Sequence, residues 1–247
     1  MKIVDNLKKI GTINFILIIC SIVLLGSVSV LFGYTFCNNG LIVASSKQSV
    51  EEYYLIEADC FEDYDEALQY SKVIQKGGGA GLIRYDNGFK VFLSGYCNKE
   101  EAESVFNKLE GVENKKLYTL SLDKFNQVNG FSQNINVVFK NNILAFKYAI
   151  ESFNKTIIEF DKGEKSELDL KSNCVLILEE LQQQIDRFLS NYVKNSTMIR
   201  YKSYIYEFYD MVERVISLDS EGLEFSSVIK YQCIACMFKM QDILKLV

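Results

Sequence analysis

No Asp, Glu, Lys or Arg falls between Lys9 and Lys47. Within that run, residues 13–36 read INFILIICSIVLLGSVSVLFGYTF. A helix needs about 20 apolar residues to cross a bilayer core. Inside lipid every backbone amide must bond within its own segment, which forces a helix. The run is longer than the apolar part of a cleaved signal peptide, about 7 to 15 residues, and no A-x-A-like pattern follows within reach. The pattern predicts a transmembrane helix over 13–36, with residues 1–12 before it and a linker, 37–52, after it. Lys2, Lys8 and Lys9, offset by Asp5, precede the run, and Lys47 follows a neutral stretch. The positive-inside bias then keeps the N-terminus cytoplasmic. The expected localisation is the cell membrane, single-pass, with the C-terminal domains extracytoplasmic.

From 53 to 124 the pattern changes to short apolar runs separated by turn signals. Strands are expected at 53–61, 82–85, 89–96 and 117–122. Asp63 and Asn98 each precede a Glu by three residues, a capping-box spacing that opens a helix. The first helix ends at Gly77-Gly78-Gly79, where left-handed dihedrals carry no steric cost. Asn87-Gly88 marks a hairpin. Asp63-x-x-Glu66-Ala67 after Cys60-Phe61 is echoed by Asn98-x-x-Glu101-Ala102 after Tyr96-Cys97. Two such units predict an α+β βαββαβ fold, an antiparallel sheet with both helices on one face.

From 131 to 247 the period becomes helical. Apolar stripes run from Phe139 to Ile157, Leu170 to Tyr192, Tyr201 to Val215 and Ile229 to Val247. They predict a C-terminal antiparallel bundle of four helices joined by short connections. Cys233 and Cys236 fall on one stripe and Cys174 on another, so their positions favour small apolar core residues over a redox or metal pair. The run from Tyr201 to Tyr209 leaves two readings, a wide core with phenolic tips in water or an exposed aromatic face for a protein partner.

Composition removes several classes of function. The chain has 247 residues, no His and a net charge of −5. His-based catalysis and His-ligated metal sites are excluded, and an acidic chain lacks the basic footprint that nucleic acid needs. No nucleophile–base pair is visible, and no cofactor is implied. The five cysteines after the apolar run are odd in number, so they cannot all pair within the chain. Cys60 and Cys97 occupy matching places in the repeat. Antiparallel central strands set them at opposite ends, beyond the roughly 7 Å that a disulfide spans.

Residues 53–122 resemble a SPOR domain, a module of cell-division and sporulation proteins that binds peptidoglycan glycan strands stripped of stem peptides. The six-residue step from Phe61 to Ala67 and the segment FKVFLSGYCNKEEAE carry the likeness. Glu57 stands where the family pattern has Gln, Asp59 where it has Gly, and Ser94-Gly95 shifts a second Gly. The resemblance implies a non-enzymatic, membrane-anchored protein that recognises denuded glycan through the sheet face without helices.

Strand alternation assigns Leu55, Glu57, Asp59, Lys90, Phe92 and Ser94 to that face, with Arg84 nearby. Phe92 would pack on the flat C–H surface of a sugar, and Glu57, Lys90 and Ser94 would hydrogen-bond its hydroxyls and acetamido groups. Lys90 or Arg84 would offset the repulsion between the two acids and a lactyl carboxylate. The plainer reading of Glu57 and Lys90 is a cross-strand ion pair, worth about 0.2–1 kcal/mol. Expected partners are peptidoglycan glycan strands, the lipid bilayer and envelope proteins meeting the bundle, with no nucleic acid. The alternative is a degenerate module that serves as a protein–protein interaction scaffold.

Overall fold

The structure, a computed structural model, describes residues 52–125 and 127–247. The first half runs β1 (Glu52–Phe61), α1 (Tyr64–Lys76), β2 (Leu82–Tyr85), β3 (Phe89–Tyr96), α2 (Lys99–Lys108) and β4 (Lys116–Ser121). The strands form one antiparallel sheet of order β2-β3-β1-β4. Local chemistry sets the ends. The Asp63 carboxylate accepts from the backbone N–H groups of Asp65 and Glu66 at 2.7 and 3.1 Å. Asn98 accepts from the N–H of Glu101 at 3.0 Å. Asn87 turns the hairpin with φ of 53°.

Four helices follow, α3 (Gln133–Asp161), α4 (Glu167–Ser190), α5 (Ser196–Ile216) and α6 (Gly222–Leu246). Ser132, Ser166 and Asn195 cap the first three through side-chain oxygens. Each helix packs on the next, and α6 returns to α3, which closes the bundle. Phe139, Phe188 and Tyr201 meet inside it, with Phe139 and Tyr201 centroids 4.6 Å apart. Cys174, Cys233 and Cys236 are buried in the same core. Tyr204 and Tyr209 pack half-buried against it. The connection from sheet to bundle is clasped by Asn136, whose side chain accepts from the Val128 N–H at 2.7 Å and donates to the carbonyls of Val128 and Phe131.

The sheet is covered on both sides. On one side Ile56 and Tyr96 pack with Ala102 and Phe106 of α2. On the other, Tyr53, Leu55, Leu82, Phe92 and Leu120 join the core of the bundle. The helix against that second side is α6. Phe238 meets Phe92 with ring centroids 5.4 Å apart. A Cβ on Gly95 would lie 2.8 Å from the sulfur of Met237 and 3.1 Å from Ile234. Asn154 of α3 completes the seam by donating to the Gly95 carbonyl at 2.7 Å and accepting from the Cys97 N–H at 3.0 Å. The described residues therefore form one compact unit, and the segments 53–124 and 131–247 share a core.

Two expectations are corrected. The sheet does not carry helices on one face only, because Tyr53, Leu55, Phe92 and Leu120 make the supposedly open side apolar enough to demand cover. Among the described residues no helix is long and apolar enough to cross a membrane. On that finding the transmembrane helix in the expected fold class and the single-pass membrane localisation are not borne out. Residues 13–36, on which both rested, lie outside the described residues.

Candidate functional site

The expected glycan face is divided by the fold into three parts. Leu55 and Phe92 lie beneath the bundle, 0% and 1% exposed. Neither ring nor alkyl surface is left for a sugar. Asp59 and Ser94 are turned away. β1 and β3 lose register between Ile56 and Glu57 and again between Glu57 and Asp59. Asp59 consequently pairs with Val91, which alternates with Phe92, and Ser94 pairs with Ile56, whose side chain packs with α2. A bulge adds an unpaired residue and so flips the side chains beyond it. Asp59 accepts instead from the Asn114 side chain at 2.9 Å. Arg84 is engaged by α6, with its guanidinium 4.1 Å from the Phe238 ring centroid and 3.5 Å from the Asp242 carboxylate.

Glu57 and Lys90 remain, where α6 no longer covers the sheet. They line an open depression of about 350 Å³ with Asp86, Asn87, Lys116 and Tyr118. The Lys90 ammonium sits 2.9 Å from Asp86, 3.9 Å from Glu57 and 4.6 Å from the Tyr118 ring centroid. Burial acts to lower the pKa of Lys90, but the hydrogen bond to Asp86 and the charges of Asp86 and Glu57 outweigh it and raise it. The hydrogen bond and charge of Lys90 hold Asp86 below the usual carboxylate range. Glu57 is 3% exposed, and its nearest cation is beyond hydrogen-bond length.

This end of the sheet can accept and donate hydrogen bonds to a polar group of a few atoms. Among the described residues no group of three His, Cys, Asp or Glu side chains could hold a metal ion. Asp86, Lys116 and Tyr118 were missed by the sequence reading. The signal for two of them was the pairing of β4 with β1, which sets Lys116 opposite Glu57 and Tyr118 opposite Leu55.

No family model matches the chain, and no curated protein and no solved structure matches it either.

Proposed function

We propose that the chain is a non-enzymatic interaction module, in which a SPOR-like sheet is locked onto its own helical bundle and partners meet the outer surfaces of the unit. The observation that carries this reading is the burial of Phe92 under Phe238. A glycan strand would need that ring, and α6 occupies its place. The exposed apolar side chains Tyr148, Leu168 and Leu176 lie on the outside of the bundle, where a protein partner has access to them.

A second reading keeps glycan recognition at the uncovered end, on the observation that Glu57, Lys90 and Tyr118 line one open depression. Incubating the full chain with amidase-treated sacculi separates the two. The interaction reading expects no retention above that of untreated sacculi. Retention that Lys90→Ala and Tyr118→Ala both abolish overturns it in favour of glycan binding.

A further inference from the structure

A second depression, of about 590 Å³, runs between α1 and α6. Its floor holds Ser227 and Gln232, 5% and 7% exposed. Neither side chain has a hydrogen-bond partner among the described residues, and neither is sealed from the groove. The polar atoms of both side chains stay reachable from the groove, so their hydrogen-bonding capacity is open to a ligand that displaces water. Lys72 and Lys76 stand on the α1 wall with no acidic partner within ion-pair distance among the described residues. Tyr231, 38% exposed, and Glu224 line the groove from α6.

We propose that this groove binds an extended acidic peptide segment of a partner protein. The Gln232 carboxamide offers a donor and an acceptor side by side, the complement of one backbone peptide unit. The Ser227 hydroxyl serves a neighbouring unit. Lys72 and Lys76 are one helical turn apart, which separates their Cβ atoms by about 5–6 Å. Alternate side chains on one face of an extended chain are separated by about 6.5–7 Å. Carboxylates at every second position therefore meet both ammonium groups, and the Tyr231 ring lies along the apolar side chain between them. Glu224, on the same lining, disfavours an acid directly beside it. The proposal deepens the interaction reading by naming the class of partner, and it rests on that reading.

Fluorescence anisotropy of the full chain with a labelled peptide of alternating Glu and Val tests it. Binding is expected, weakened about tenfold by K72E/K76E on the solvated rim and by added salt. Gln232→Leu weakens it as well, as does methylation of the peptide's backbone nitrogens. Equal binding of a control peptide of alternating Lys and Val, indifference to K72E/K76E, or no binding at all overturns the site. Those results leave the interaction reading standing, which fails separately on retention by sacculi.

Discussion

Replacing Phe92 by Ala separates a covered sheet from an open one. On an open glycan-binding face the change removes a contact with ligand and leaves the fold intact. In the structure the ring is 1% exposed and lies edge-on to Tyr118 and Phe238, at 5.5 and 5.4 Å between centroids. Truncating a buried Phe costs about 3–5 kcal/mol, in lost transfer energy and in the cavity left behind. For a unit of this size each kcal/mol lowers the melting temperature by about 2–4 °C, so the expected fall is about 6–20 °C. Phe92→Leu refills most of the volume and costs less than Phe92→Ala. Leu168→Ala, at a side chain 73% exposed, serves as the surface control and stays within about 0.5 kcal/mol of the parent chain. Calorimetry with near-ultraviolet circular dichroism reads all three. If Phe92→Ala melts within about 2 °C of the Leu168→Ala control, α6 does not cover the sheet and the assignment of its buried face is wrong.

Three other outcomes follow from the same packing. Asn154→Leu strips the Gly95 carbonyl and the Cys97 N–H of their partner; each orphaned group costs about 1–3 kcal/mol, visible as a lower urea midpoint. Burial pushes the thiols of Cys174 and Cys233 up to about 12. At pH 8 only about one in ten thousand is then thiolate, so maleimide labelling mapped by mass spectrometry finds them unreacted until denaturant is added. Glu207 is held below its usual range, chiefly by the hydrogen bond from Lys239. A lowered folded pKa contributes stability above the unfolded value and loses it as pH falls through the folded one. Glu207→Gln should therefore flatten the acid limb of a stability–pH curve and leave the neutral region's slope unchanged.

The boundaries of the elements were legible because they are set locally. Asp63, Asn98 and the Asn87-Gly88 hairpin act within a few residues of themselves, and β2 and β3 fall where their turn signals put them. The covered face was not read, although its signal was present. Tyr53, Leu55, Phe92 and Leu120 are too apolar for a surface left to water. The single stripe expected from Ile229 to Val247 runs through Cys233 and Cys236, whereas the structure also buries Ile234, Met237 and Phe238. A helix whose apolar positions exceed one stripe packs on more than one side, here against both the bundle and the sheet. Gly95 is the mark of the close approach: any larger residue there would collide with α6. The displacement of Asp59 and Ser94 was beyond reach. A bulge depends on how two distant strands pair, and neither strand announces it alone.

The seam held by Asn154 and Gly95, and the clasp of Asn136 on the preceding connection, bear on how this molecule is handled at the bench. Scissors applied between residues 124 and 131 would not yield two freestanding pieces. The excised N-terminal piece would carry Tyr53, Leu55, Phe92 and Leu120 bare to solvent, an artificial sticky plate that clings to resins, membranes and its own copies. Any affinity measured on such a fragment would be a property of the cut.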